Sequence, residues 1–248
     1  MSLATPVDLS PPEPWAKRLQ AVHERIARAE QQSGRIAGSV TLLAVAKTFP
    51  ITAVDAVAAA GQQAFGENYA QEGVEKASAR PDLEWHFIGP IQSNKTRGIA
   101  EHFAWVHTID RLKIAERLST QRPTDRPPLQ VCVQVNISAE TSKSGCAPAD
   151  TLALCQAVAT LPHLKLRGLM AIPEATDDPP TQRHHFTALR QLMADINAAD
   201  GTLQLDTLSM GMSDDLEAAI TEGATIVRVG SAIFGQRAYT NTPAPTEH

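Results

Sequence analysis

Short apolar runs recur along the chain, and segments with helical spacing of apolar residues separate them. The first helical segment covers residues 14–32, where Trp15, Leu19, Val22 and Ile26 recur at helical intervals. Eight apolar runs follow, and each predicts a buried strand: 40–46, 63–66, 85–89, 105–109, 129–137, 166–172, 207–211 and 226–230. Helical patterns separate successive runs: 51–60, 68–79, 92–101, 111–121, 148–160, 180–198 and 213–222.

This alternation predicts the fold class. Eight strands alternating with helices are typical of a single (β/α)8 TIM barrel in the α/β class, here with an extra N-terminal helix. The alternative is a doubly wound open sheet, which usually has fewer strands, and no Gly-x-Gly-x-x-Gly motif follows the first strand. We therefore predict one barrel domain over residues 14–237, a disordered or extended segment over 1–13 and a flexible tail over 238–248.

Charge and cysteine content exclude several function classes. The net charge of −5 gives no electrostatic basis for binding nucleic acid. The apolar runs are too short to span a membrane, and the first residues lack a signal-peptide pattern. The chain has three cysteines, Cys132, Cys146 and Cys155, an odd number without metal-ligand spacing. We therefore predict that they are reduced thiols, that the protein has no metal site and that it is cytoplasmic.

Lys47 is the first candidate for chemistry. It ends the first predicted strand, whose other residues are apolar apart from one threonine, and Pro50 stops that strand soon afterwards. Burying an ammonium is costly, so a buried lysine favours the neutral amine, which is a nucleophile that condenses with aldehydes. The alternative is that Lys47 simply extends its ammonium to solvent from the strand end.

The eighth strand supplies a second group of candidates. Side chains alternate along a strand, so the valines on either side of Arg228 favour the helix-packed face and turn Arg228 into the barrel. An arginine inside a barrel needs an anion or a strong acceptor. Gly230 and Ser231 follow at the start of a short helix, and the loops after the last two barrel strands commonly bind phosphate. The alternative for this pair is a tight turn and a helix cap.

A lysine for an aldehyde, an arginine for a ring nitrogen and backbone amides for a phosphate together describe a site for pyridoxal 5′-phosphate (PLP). The chain resembles the YggS/PROSC family of PLP homeostasis proteins, whose barrel is similar to the N-terminal domain of alanine racemase. The motifs that carry the resemblance span nearly the whole chain in order: LLAVAKTFP (42–50), FGENYAQE (65–72), WHFIGPIQSNKTR (85–97), VNISAETSKSG (135–145), LRGLMAIP (166–173), LSMGMSDDLEAAI (208–220) and VRVGSAIFG (227–235).

The resemblance implies roles for individual residues. It implies that Lys47 holds PLP as an internal aldimine and that Arg228 faces the pyridine nitrogen. It implies that three residues near the ends of the last two strands hold the phosphate: Ser209, Gly230 and Ser231. Three further residues fall in motifs that line the pocket: Asn68, His86 and Met212. A histidine in a barrel strand is more often a hydrogen-bonded structural residue than an acid or base, so His86 has both interpretations.

Three functions fit these features. The first is a PLP-binding protein that supplies or buffers the cofactor inside the cell, as a monomer that serves apo PLP-dependent enzymes. The second is a PLP-dependent amino-acid racemase, and the third is a lysine-dependent aldolase. Racemisation gains from a protonated pyridine ring, which Arg228 disfavours. Alanine racemases share this arginine, so it alone does not exclude them, but they also need a second base, which is a tyrosine from the other subunit. Alanine racemases also have an additional β-domain, and neither of the two tyrosines of this chain, Tyr69 and Tyr239, lies in such a domain. The sequence therefore favours binding over turnover.

Overall fold

The computed structural model describes residues 13–138, 144–174, 176 and 178–235. Within these residues the strands form a closed parallel barrel in which each strand pairs with its neighbours in chain order and the first strand pairs with the last. The predicted barrel is therefore confirmed. The predicted terminal segments, 1–13 and 238–248, lie outside the described residues apart from residue 13, with which the first helix begins.

The eight strands are β1 (Thr41–Val45), β2 (Ala64–Glu67), β3 (Glu84–Phe87), β4 (Trp105–Ile109), β5 (Leu129–Gln134), β6 (Leu164–Met170), β7 (Thr207–Ser209) and β8 (Ile226–Val229). The helices are α1 (Glu13–Gln32), α2 (Ile51–Ala59), α3 (Ala70–Ala79), α4 (Thr96–His102), α5 (Leu112–Gln121), α6 (Thr151–Ala159), α7 (Pro179–Ala199), α8 (Leu216–Thr221) and α9 (Ser231–Phe234). Several strands end earlier than the apolar runs predict, because the chain already bends into loops at their carboxyl ends. Among the described residues, no helix is both long and apolar enough to cross a bilayer.

Helix α1 lies against the outside of the barrel, where it contacts α2, α8 and α9. Its apolar stripe is buried, as the helical spacing predicts. Arg25 fixes the helix to α8 through two hydrogen bonds to the carboxylate of Glu217, at 2.7 and 2.8 Å. The carboxylate of Glu30 accepts hydrogen bonds from the backbone amides of Gly38 and Val40, so α1 also holds the loop that leads into β1.

The barrel interior contains an apolar cluster and a connected group of polar side chains. Side chains on one face of each strand pack against the surrounding helices, and those on the other face point inward. A small apolar cluster fills part of the interior: Leu43, Val45, Ala64, Ile88 and Ile226. Four buried polar side chains from β3, β4, β7 and β8 form a connected group beside it: His86, His107, Ser209 and Arg228. This polar group lies beneath the carboxyl ends of the strands, where barrel enzymes place their sites.

Candidate functional site

A pocket of about 480 Å³ opens at the carboxyl ends of the strands. It brings together six of the eight residues that the sequence predicts: Lys47, Asn68, Met212, Arg228, Gly230 and Ser231. The remaining lining residues are Val45, Phe49, Ile88, Ile172, Ser213, Asp214 and Gly235. The other two predicted residues, His86 and Ser209, are not among them. They lie buried in the barrel beneath Arg228, with 1% and 0% of their surfaces exposed.

Lys47 lies just beyond the end of β1 and is half-buried. The next residue, Thr48, has a φ of 68°, which is rare and strained for a β-branched residue. Such a conformation persists only where neighbouring groups hold it. The backbone amide of Thr48 donates a 2.7 Å hydrogen bond to the carboxylate of Glu72 on α3, and this bond supports the turn that presents Lys47 to the pocket.

A buried ionic cluster on α3 supports the same turn from below. The ammonium of Lys76 donates hydrogen bonds to the carbonyl of Ala46 at 2.8 Å, to Glu67 at 2.7 Å and to Glu72 at 2.7 Å. These three acceptors match the three hydrogens of the ammonium. Burial raises the pKa of Glu67 to about 7, while the ammonium of Lys76 acts in the opposite direction. The backbone on both sides of Lys47 is thus tied to α3.

This cluster was not predicted from the sequence. Glu67 is the last residue of β2 and directly precedes Asn68, so its position at a strand end could be predicted from the sequence. Its side chain, however, points away from the pocket, towards α3: a Cβ added at Gly73 would lie 3.0 Å from the Cβ of Glu67. The pairing with Lys76 depends on how α3 docks on the barrel, and sequence spacing does not show that.

Arg228 points into the barrel, as strand alternation predicts, and is 4% exposed. One guanidinium nitrogen, Nη1, donates to the hydroxyl of Ser209 at 2.9 Å, and the other, Nη2, donates to the carbonyl of Ala171 at 2.9 Å. Both acceptors are neutral oxygens. Burial lowers the pKa of Arg228 to about 10, so the guanidinium stays charged at neutral pH. The pocket therefore has a fixed cation at its base, held in one plane by two hydrogen bonds.

The loops after β7 and β8 form one wall of the pocket. The hydroxyls of Ser213 and Ser231 lie 3.1 Å apart and join the two loops. A Cβ added at Gly230 would lie 3.3 Å from the carbonyl oxygen of Val45, so this turn packs too closely against β1 for a side chain to fit easily. The first backbone amides of α9 have no acceptor within that helix, as at every helix start, and they lie beside the hydroxyl of Ser231.

Asn68 adds an unsatisfied polar group. Its side-chain oxygen, Oδ1, is buried and has no hydrogen-bond partner within the described part of the chain, although the residue lines the pocket. Buried polar atoms seldom lack a hydrogen-bond partner unless a ligand or water supplies one. Ile172 and Met212, 38% and 36% exposed, supply apolar surface to the same pocket.

These residues fit PLP. The pocket offers an amine for the aldehyde, a guanidinium for the ring nitrogen, loop residues for the phosphate and apolar side chains for the faces of the ring. The orphaned oxygen of Asn68 is available to a donor such as a hydroxyl. The volume of about 480 Å³ lies in the range of small-molecule sites.

One interior residue, His107, was not predicted from the sequence. Its imidazole lies between the imidazole of His86 and the hydroxyl of Ser209, and the residue is fully buried on β4. Alternation along β4 gave a signal, since His107 shares the inward face with Trp105. The hydrogen bonds of His86 agree with the structural interpretation of that residue, because both of its ring nitrogens have partners.

Comparison with known proteins gives the following matches. The sequence pattern of the alanine racemase N-terminal domain matches residues 18–238. A pyridoxal phosphate homeostasis protein of Pseudomonas aeruginosa is 60% identical over 226 residues, which cover 90% of this chain and 96% of that protein. The protein of the same name from Vibrio cholerae is 54% identical over 229 residues, with 90% and 96% coverage. The PLP-bound structure of PipY from Synechococcus elongatus is 36% identical, covers 86% of this chain and 100% of PipY, and has a TM-score of 0.75.

Proposed function

We propose a function from the following premise: the chain belongs to the family of pyridoxal phosphate homeostasis proteins, within the wider group that shares the alanine racemase N-terminal domain. The protein binds PLP and takes part in its intracellular homeostasis, supplying or buffering the cofactor. A single observation carries the proposal. The pocket places the amine-bearing Lys47 and the buried cation Arg228 on adjoining strands, in a chain similar to PipY, whose structure contains PLP.

Each pocket residue has a distinct part in this proposal. Lys47 holds the aldehyde carbon as a Schiff base, and the α3 cluster fixes the turn that presents it. Arg228 faces the ring nitrogen and, because it stays charged, disfavours protonation of that nitrogen. Gly230 and Ser231 hold the phosphate through backbone amides and a hydroxyl. The resemblance implies that Ser209 also contacts the phosphate, but Ser209 lies buried beneath the pocket, where its hydroxyl accepts a hydrogen bond from Arg228 and helps to hold that guanidinium.

The same geometry bears on turnover. When bound, PLP stabilises carbanions best if its ring is protonated. A guanidinium fixed opposite the ring nitrogen works against that state. We therefore propose that the protein carries or regulates PLP and turns over amino acids slowly, if at all, so that the racemase alternative is the weaker one.

Partners and location follow from a carrier role. We propose that the protein is a cytoplasmic monomer that delivers PLP to apo PLP-dependent enzymes. The three cysteines are free, which suits a reducing compartment. Burial raises the pKa of two of the thiols, Cys132 and Cys155, to about 12, so these two are unreactive.

The test is a covalent map of the bound cofactor. Borohydride reduction of the PLP-loaded protein, followed by peptide mapping, should place the pyridoxyl adduct on Lys47. Lys47→Ala should abolish the visible absorbance band and leave the far-UV circular dichroism unchanged. Lys95→Ala is the matched control, because Lys95 is an exposed lysine at the same end of the barrel. An adduct found only on Lys95 or on Lys143, which lies outside the described residues, would refute the assignment.

The carrier role needs a separate assay. The loaded protein is mixed with a purified apo PLP-dependent enzyme, and recovery of that enzyme's activity is followed against free PLP at the same concentration. Recovery is expected with the unmodified protein and with Lys95→Ala. Recovery that is no faster than the spontaneous release of PLP into buffer would leave a buffering role and exclude direct delivery.

A further inference from the structure

We propose that Glu84, at the end of the barrel opposite the pocket, is a positioning residue for Arg228 and acts through a one-directional chain of hydrogen bonds. The interior hydrogen-bond chain consists of Glu84, His86, His107, Ser209 and Arg228. Its geometry is independent of the proposed function. Its consequence for PLP rests on that function, since Arg228 is the member that lines the pocket.

The interior hydrogen-bond chain is continuous across four strands. A carboxylate oxygen of Glu84 lies 2.8 Å from Nε2 of His86. Nδ1 of His86 lies 2.9 Å from Nε2 of His107, and Nδ1 of His107 lies 2.7 Å from the hydroxyl oxygen of Ser209. Nη1 of Arg228 completes the chain at 2.9 Å from the same hydroxyl oxygen. The three middle members are at most 1% exposed, so water does not compete for these bonds.

Both ends of the chain fix its direction. Arg228 can only donate, so Ser209 accepts from it. At the other end, the hydrogen bond from His86 lowers the pKa of Glu84, which is therefore an ionised acceptor at neutral pH. Nε2 of His86 must then carry a hydrogen. Burial lowers the pKa of His86 and lowers that of His107 well below its usual value, so each ring is neutral and carries one hydrogen.

The tautomers follow by elimination. With its single hydrogen on Nε2, His86 can only accept at Nδ1, so Nε2 of His107 donates to it. Nδ1 of His107 then has no hydrogen and accepts from the hydroxyl of Ser209. Every donor thus points from Arg228 towards Glu84. The hydroxyl hydrogen of Ser209 is committed to His107, which leaves its lone pairs for the guanidinium of Arg228.

Neighbouring groups hold the lower end of this chain in place. The indole of Trp105 stacks on the imidazole of His86, with ring centroids 5.3 Å apart and an interplanar angle of 6°. The guanidinium of Arg167 lies 5.2 Å from the Trp105 ring and pairs with Asp206. The Glu84 side chain is half-exposed, whereas the other four members are buried, so Glu84 can be changed without removing a buried side chain.

The first experiment reads the tautomers directly in the protein without PLP. Histidine ¹⁵N NMR at neutral pH should show hydrogens on Nε2 and none on Nδ1 for both His86 and His107, with signals assigned from His86→Asn and His107→Asn. If either variant fails to fold, the ring-to-ring coupling between Nδ1 of His86 and Nε2 of His107 assigns the pair in the unmodified protein. A hydrogen on Nδ1 of either ring, or a doubly protonated ring, would overturn the proposed direction.

The second experiment removes the anchor. Glu84→Ala should change the tautomer balance of His107, shift the visible band of bound PLP and weaken PLP binding about threefold to tenfold, the scale of one lost hydrogen bond. Glu75→Ala is the matched control, because Glu75 is an exposed glutamate on α3 outside the chain. Glu84→Ala also leaves Nε2 of the buried His86 without its acceptor, so it should unfold at a lower urea concentration than Glu75→Ala, while the far-UV circular dichroism of both variants stays native.

The outcomes separate the two proposals. If Glu84→Ala alters neither the tautomers nor the PLP band relative to Glu75→Ala, Glu84 does not position Arg228 and this inference fails. If the unmodified protein shows the expected tautomers but binds no PLP, the proposed function fails. In that case the effect of Glu84→Ala on the guanidinium ¹⁵N signals of Arg228 still decides the positioning role.

Discussion

The ammonium of Lys76 lies 2.8 Å from the carbonyl oxygen of Ala46, the residue immediately before Lys47. A lysine that is buried on α3 therefore holds the backbone that presents Lys47, the lysine that we propose binds PLP, at the end of β1. The same ammonium contacts Glu72, whose carboxylate accepts from the amide of Thr48. The strained turn around Lys47 is thus fixed on both sides by one helix, and this relationship makes the first prediction.

Lys76→Met should destabilise the protein by about 3 kcal/mol, because it removes three hydrogen bonds and leaves Glu67 buried without its partner. PLP binding should weaken as well, since the turn at Thr48 loses its support. Urea unfolding measures the first effect and the visible absorbance of bound PLP the second. Lys113→Met, at an exposed position of α5, is the control and should change neither. Equal stabilities of the two variants would contradict the proposed role of the cluster.

Glu67 should make stability depend on pH in an unusual direction. Burial raises its pKa to about 7 from an ordinary value of 4.5, so between these two values the folded protein binds more protons than the unfolded chain. Stability contributed by this group therefore falls as pH rises through that window, at up to roughly 1.4 kcal/mol per pH unit.

Glu67→Gln tests this sign, because glutamine keeps the shape and an acceptor for Lys76 but does not titrate. The free energy of unfolding is measured for both proteins between pH 4.5 and pH 8. The wild type should lose stability relative to the variant as pH rises, by about 3 kcal/mol over the whole window. A difference that stays constant, or that grows in favour of the wild type, would show that folding does not raise the pKa of Glu67.

Gly230→Val should weaken PLP binding far more than pyridoxal binding. A Cβ at this position already approaches the carbonyl oxygen of Val45 to 3.3 Å, so the branched side chain must displace the turn that we assign to the phosphate. We expect a loss of at least about tenfold for PLP, equivalent to about 1.4 kcal/mol. Fluorescence titration with both ligands makes the comparison, since pyridoxal lacks the phosphate. The same loss for both ligands would argue against a phosphate site at this turn.

Amino acids should keep their α-protons in the presence of the loaded protein. Arg228 stays charged at the base of the pocket and, in the position we propose for it, disfavours the protonated ring from which racemisation gains. The loaded protein is incubated with each common amino acid in deuterated buffer, and the α-proton signal is followed by NMR. We expect no more exchange than free PLP gives at the same concentration. Rapid deuteration or inversion over many turnovers would favour the racemase alternative.

Much of the molecule was predictable because it depends on local periodicity. The apolar runs and the helical spacing between them gave all eight strands in order, since a parallel strand covered on both faces must be apolar. Chain order then brings the strand ends to one face, so Lys47, Asn68 and Arg228 were expected together and do line one pocket. The inward direction of Arg228 followed from alternation alone.

Other features depend on packing between residues far apart in the chain. His107 and Ser209 are 102 positions apart and meet only because β4 and β7 face each other across the closed barrel. Closure likewise puts His86 and Ser209 beneath the pocket instead of on its surface. No periodicity encodes such distances, because they result from the tilt and register of all eight strands.

The sequence by itself therefore determined the kind of fold, the end of the barrel that bears the site and the residue types gathered there. The tertiary structure alone decided which of them contact the pocket, which act from beneath it and which partners hold them. Local patterns reflect the alternation of faces along one element, whereas Lys76 beneath Lys47 and Glu84 at the far end of the Arg228 chain result from how separate elements pack.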